Sequence, residues 1–112
     1  MIKLNIVLNE NFKTKAVYDS GSNVTLINQR IADLLQLKLI EQKGLLKTIS
    51  GQDFTSARAN IMLRIGNITD NITTYVIKNN NFSYDFLLGL DAIQKFKLIQ
   101  DRVRSAKTWV KH

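Results

Sequence analysis

Ala16-Val17-Tyr18-Asp19-Ser20-Gly21-Ser22 runs three mostly apolar residues into an acid, a hydroxyl residue and a glycine. A short apolar run of this kind reads as a buried strand. Asp is disfavoured inside strands, and an unpaired carboxylate is costly to bury. Gly21 then allows a tight turn where a side chain would obstruct it. The stretch therefore delivers one acid, on a rigid element, to the mouth of a turn. Taken alone, it reads first as a strand ending in an ordinary Asp-Ser-Gly turn, since these residues dominate turns. It does not stand alone. Val24-Thr25-Leu26-Ile27 follows as a second apolar strand, and Phe86-Leu87-Leu88-Gly89-Leu90-Asp91 repeats the form of apolar strand, glycine and acid.

Working outward, Ile2, Leu4, Ile6 and Leu8 alternate as one face of a half-buried strand. Asn9-Glu10-Asn11 forms a turn, and Thr14 to Tyr18 returns as the partner strand. Beyond the central turn, Ile27, Ile31, Leu34 and Leu35 fall at helical spacing, and Asn28 is placed to cap a short helix through Gln36. Leu45 to Ile49 and Phe54 to Ile65 read as two strands around Ser50-Gly51-Gln52-Asp53, the second with the long alternation Ala57, Ala59, Ile61, Leu63, Ile65. Gly66-Asn67 ends that arm, Ile72 to Ile77 gives another strand, and Tyr84 to Leu88 returns to the core. Asp91 is placed to cap a helix that turns Ile93 and Phe96 inward. Lys97 to Gln100 and Thr108 to Val110 complete the strands. Many short strands with one or two short helices predict a mainly β domain closed into a small barrel.

The 112 residues suit one domain spanning the chain, 1–112. With no cysteine and one histidine, His112, the sequence offers no disulfide, no thiolate chemistry and no Ser-His-Asp arrangement. No run approaches the roughly 20 apolar residues of a membrane helix, and no signal peptide is visible. The four Asn-X-Ser/Thr triplets, at Asn23, Asn67, Asn71 and Asn81, then reflect an Asn-rich composition. The formal net charge is +7, and six Lys or Arg face one acid, Asp101, between Lys95 and His112. Such a tail either contacts nucleic acid or is a solvated end of a basic polyprotein domain; the second reading is preferred.

Three elements in order, Asp19-Ser20-Gly21, the glycine-bearing hairpin Thr48-Ile49-Ser50-Gly51-Gln52 and Leu87-Leu88-Gly89 leading into a helix, resemble the retropepsins. These are the aspartic proteases of retroviruses and retrotransposons, and the likeness is nearest to gypsy-type elements. It implies a homodimeric acid-protease barrel that hydrolyses peptide bonds through an activated water, with one Asp from each subunit and neither metal nor cofactor. Asp19 is then the catalytic acid. Ser20 hydrogen-bonds across to the partner's loop, and Gly21 positions substrate backbone. Ser22, Asn23, Ile49, Ser50, Gly51 and Leu87 fall where the family contacts substrate; Ile49 and Gly51 belong to the flap that closes over it. The Ser22 hydroxyl is expected to donate a hydrogen bond to the Asp19 carboxylate, and Leu88 to pack behind the loops. Asp91 is expected to cap a helix, not to act as a second catalyst.

The stretch before Asp19 suffices for one hairpin, whereas retropepsins often add an N-terminal strand that pairs across the dimer. Either the boundary lies further upstream, or association relies on residues after Asp101. The expected partners are a second copy and a polyprotein substrate, with no membrane; nucleic acid is the less favoured partner. The expected setting is the cytoplasm or a virus-like particle. Two other readings remain: an inactive domain of this fold serving as a dimerisation module, and a basic β-barrel that binds nucleic acid.

Overall fold

The structure, a computed structural model, describes residues 1–48, 51–78 and 82–98. Among them the elements run β1 (Lys3–Leu8), β2 (Phe12–Tyr18), β3 (Thr25–Asn28), α1 (Gln29–Leu34), β4 (Ile40–Thr48), β5 (Gly51–Ile65), β6 (Ile68–Ile77), β7 (Phe86–Leu88) and α2 (Leu90–Lys95). The strands hydrogen-bond in the order β1-β2-β7-β3-β6-β5, and β5 pairs back to β1 through Val7↔Arg64 and Leu8↔Leu63. That last pairing closes a six-strand barrel, as the alternation and turn spacing predict. Asn9 reinforces the closure: its N–H donates to the Met62 carbonyl at 2.9 Å, and its Oδ1 accepts from the Met62 N–H at 3.1 Å.

The core follows from the alternation. Leu4, Ile6 and Leu8 from β1 meet Ala57, Ile61, Leu63 and Ile65 from β5, with Phe86, Leu88, Ala92 and Phe96 completing the interior. Fully burying a side chain of this size contributes roughly 1.5–3 kcal/mol. A second, smaller cluster of Val17, Leu26, Ile77, Phe82 and Leu87 lies on the other face of the central strands. The turns obey local chemistry. Asn9 and Glu10 take φ of 47° and 75° between β1 and β2, and Gly66 takes 61° at the first position of the two-residue β5–β6 loop. Positive φ there matches the right-handed twist of the paired strands.

Asn28 caps α1 as expected, its side chain accepting from the Arg30 N–H at 2.9 Å. The helical stripe is narrower than its spacing implies: Ile31 is buried, but Leu34 is 62% exposed. The helix stops after six residues, so Leu34 ends the last turn pointing away from the barrel. β4 and β5 form the expected hairpin, but it reaches further than the sequence reading placed it. Their pairing continues through Leu46↔Asp53 and Lys47↔Gln52 to Thr48↔Gly51. Gln52 and Asp53 are thus strand residues, not turn residues, and Gly51 opens β5. Ile49 and Ser50 lie outside the described residues. Lys97 and Leu98 are not a strand. Lys97 turns the chain at φ 50°, and Leu98 drops into the core behind α2. The remaining predicted strand residues, from 99 onward, lie outside the described residues.

Candidate active site

Three chain ends converge because of how β7 is paired. It lies parallel to β2 with Tyr18 opposite Leu88, and antiparallel to β3 with Leu26 opposite Leu87. Parallel strands finish at the same end, so Asp19 and Gly89 emerge side by side, and β3 begins there too. The Asp19 N–H donates to the Leu88 carbonyl at 3.0 Å, which fixes the acid's backbone to the neighbouring strand.

The Asp19 residue is 8% exposed. Its Oδ1 accepts the Gly21 N–H at 2.9 Å, and its carbonyl accepts the Ser22 N–H at 3.3 Å. Oδ2 is buried and has no hydrogen-bond partner among the described residues. A Cβ on residue 21 would fall 3.1 Å from Oδ1, so glycine lets the backbone N–H approach the carboxylate. Buried carboxylate oxygens are ordinarily satisfied. A strand-borne acid with one oxygen oriented by backbone and the other left open suits a group that completes its hydrogen bonding with a second molecule.

The loop from 19 to 25 rests on the start of α2. Leu90 N–H donates to the Ser22 carbonyl at 2.7 Å, and Asp91 N–H to the Asn23 carbonyl at 3.4 Å. Gly89 is required by contact, not by conformation. At φ −89° its backbone is ordinary, but an added Cβ would sit 2.2 Å from the Val24 carbonyl oxygen and 2.8 Å from that of Ser22.

Of the residues named from sequence, Asp19, Ser20, Gly21, Ser22 and Asn23 share this loop. Ser20, Gly21 and Asn23 are exposed around the buried acid. Three expectations change. The Ser22 hydroxyl does not serve Asp19: it is fully buried and donates to the Val24 carbonyl at 2.8 Å, bracing the loop internally. Leu87 lines no surface pocket on this chain, because it is wholly buried between Val17, Leu26, Ile77 and Phe82. Leu88 packs in the main core, as expected. Asp91 is not the cap of α2. Gly89 occupies that position, without a side-chain bond, and Asp91 sits in the first turn facing Thr25. Sequence reading passed over Thr25, a hydroxyl inside the apolar run 24–27. A buried hydroxyl needs a partner, and that need was the available signal.

A closed six-strand barrel whose central strand delivers one buried, half-satisfied aspartate to a glycine turn defines the retropepsin-like class of protein. The family model described as "gag-polyprotein putative aspartyl protease" matches residues 4–95, and the chain belongs to that family. A search of curated protein sequences finds no significant match. Among solved structures, the retroviral protease-like domain of Ddi1 from Leishmania major superposes with TM-score 0.64 at 20% identity, over 88% of this chain and 75% of that one. The EIAV protease, solved with the inhibitor HBY-793, superposes with TM-score 0.65 at 12% identity, over 85% and 86%. A protein of unknown function from Legionella pneumophila gives TM-score 0.58 at 18% identity, over 86% of each chain. At these identities the likeness is one of fold.

Proposed function

We propose that the chain is an aspartic endopeptidase that works as a homodimer, each subunit supplying Asp19, and that it processes the retroelement polyprotein from which it derives. The observation that carries this reading is the Asp19 carboxylate, with Oδ1 held by Gly21 and Oδ2 buried without a partner among the described residues. One carboxylate makes half of an aspartic-protease site. A two-fold axis beside the exposed 20–21 edge brings the loop against its own copy and makes the pair. The paired acids share a proton: one draws a proton from water as general base, and the other donates to the scissile carbonyl. Ser20, exposed beside the acid, bonds across the axis and keeps the two loops in register. The β4–β5 hairpin covers the bound peptide.

The test is cleavage of a peptide library, with and without pepstatin, by wild type and Asp19→Asn at a series of dilutions. Pepstatin-sensitive cleavage is expected, lost in Asp19→Asn with the fold intact, and falling per chain as the dimer dissociates. Equal turnover by wild type and Asp19→Asn, or undiminished activity per chain where the protein is monomeric, overturns the proposal. A folded wild type that dimerises but cleaves nothing identifies an inactive dimerisation module.

A further inference from the structure

The smaller apolar cluster lies on the acid's own side of the sheet. The Asp19 N–H bond to the Leu88 carbonyl carries the β2–β7 pairing one residue past Tyr18. Strand alternation therefore puts Val17 on the same face as Asp19, about 7 Å away. Ala16 and Tyr18 take the opposite face and pack with the main core. Directly paired residues share a face. The pairs Val17↔Leu87, Leu87↔Leu26 and Leu26↔Tyr75 thus form an apolar row across β2, β7, β3 and β6, beginning beside the acid. Among the described residues, Val17, Leu26, Ile77 and Leu87 reach this cluster from strands. Phe82, 3% exposed, reaches it from the segment that precedes β7.

That segment is clamped through its backbone. Asn28, at the end of β3, donates from Nδ2 to the Phe82 carbonyl at 2.9 Å and to the Tyr84 carbonyl at 3.1 Å. The Asn28 N–H donates to the Asp85 carbonyl at 3.0 Å. The Phe82 and Tyr84 rings meet edge to face, with centroids 5.8 Å apart and planes at 86°. The clamp does not use the Phe82 ring, so the size of side chain 82 can vary while the backbone stays held. A peptide that engages Asp19 Oδ2 must lie along this same face. The side chain flanking its scissile bond then meets the row at Val17 and Leu87, where Phe82 already packs in the cluster.

Resting on the peptidase reading above, we propose that Phe82 sets the side-chain specificity of the site. Its ring fills the apolar subsite lined by Val17, Leu26 and Leu87, so the chain takes a small side chain beside the scissile bond and rejects an aromatic one. Apolar pockets select by volume, a single methylene being worth about 10- to 200-fold in rate. Exchanging the ring for a methyl inverts the preference.

The test uses two peptide pools, randomised except at one position, which is alanine in one and phenylalanine in the other. Cleavage beside the fixed residue is read by mass spectrometry. Wild type is expected to cut the alanine pool at least about 10-fold faster, and Phe82→Ala to reverse the order. Phe82→Leu, which keeps most of the apolar contact, should narrow the ratio and serves if Phe82→Ala does not fold. A purely structural Phe82 would alter stability and leave the ratio unchanged. An unchanged ratio in folded variants, or a wild type that prefers the phenylalanine pool, overturns the proposal. A second readout needs no cleavage. The chain has no cysteine, so Asp19→Asn/Phe82→Cys carries a single thiol whose reaction with a maleimide reports access to the subsite. The phenylalanine pool is expected to slow that labelling and the alanine pool to leave it unchanged. A thiol that reacts only on global unfolding, or that both pools protect equally, overturns the proposal. Wild type that cuts neither pool removes the peptidase reading, and the thiol then decides the subsite by itself.

Discussion

The Thr25 hydroxyl donates to Asp91 Oδ1 at 2.7 Å and itself accepts the Gly89 N–H at 3.2 Å, while the Thr25 N–H reaches Asp91 Oδ2 at 3.3 Å. The chain of donors has one direction. With Gly89 giving its proton to the hydroxyl, the hydroxyl's own proton goes to Asp91, and the carboxylate accepts at both oxygens. Asp91 thereby ties the first residue of β3 to the first turn of α2 and backs the loop that carries Asp19. It ends a second run of apolar strand, glycine and acid, yet both of its oxygens are engaged in holding the loop.

Replacing Asp91 with Ala leaves the buried Thr25 hydroxyl and N–H without an acceptor. The expected cost is about 2 kcal/mol, in the range for unsatisfied buried donors. Asp91→Asn should fall between wild type and Ala, because an amide accepts at one atom and presents donors to a donor at the other. Urea unfolding of the three proteins gives the order. Equal midpoints for wild type and Asp91→Ala would show that the clasp carries no stability.

Gly89 and Gly66 make a matched pair. A methyl at Gly89 meets the Val24 and Ser22 carbonyls, which belong to the loop backbone and cannot rotate away. A methyl at Gly66 meets nothing, and only the φ of 61° resists it. Gly89→Ala is expected to cost at least about 3 kcal/mol or prevent folding, and Gly66→Ala about 1 kcal/mol. Thermal unfolding of both settles the comparison, and a milder effect at Gly89 would mean that α2 can shift off the loop.

Ser22→Ala removes a hydrogen bond between two parts of one loop, not one to the acid. The loss should appear as about 1 kcal/mol of stability. The KM for a cleaved peptide should stay at its wild-type value. A large change in KM with unaltered stability would place the Ser22 hydroxyl in the site after all.

Asn5 lies between Leu4 and Ile6 on β1, 5% exposed, and its Oδ1 has no partner among the described residues. Valine has similar volume, favours strands and removes the orphaned acceptor. Asn5→Val should raise stability by about 1 kcal/mol, moving Tm up by about 4–8 °C for a domain near this size. A lowered Tm would indicate that the Asn5 amide makes up elsewhere what its oxygen lacks.

Much of this protein is legible along the chain, wherever the deciding physics acts within a few residues. The period-2 pattern of β1 and β5, the positive-φ turns at Asn9-Glu10 and Gly66-Asn67, the Asn28 cap and the acid-hydroxyl-Gly turn at Asp19 are all local. Each is set by sterics or by a hydrogen bond to a near neighbour. Partner choice is not local. That β7 enters parallel to β2 and antiparallel to β3, so that Asp19 meets Gly89, depends on strands separated by about 70 residues of sequence. The same distance hid the role of Asp91, which looked like a cap until Thr25 lay opposite it. It also misdirected Ser22, whose hydroxyl has two acceptors near in sequence and takes the one the folded loop presents. Burial is likewise a property of the whole. Leu34 and Leu87 are alike in sequence, yet one ends a short helix in solvent and the other is sealed under Phe82, because only the closed barrel decides which side of each element is inside.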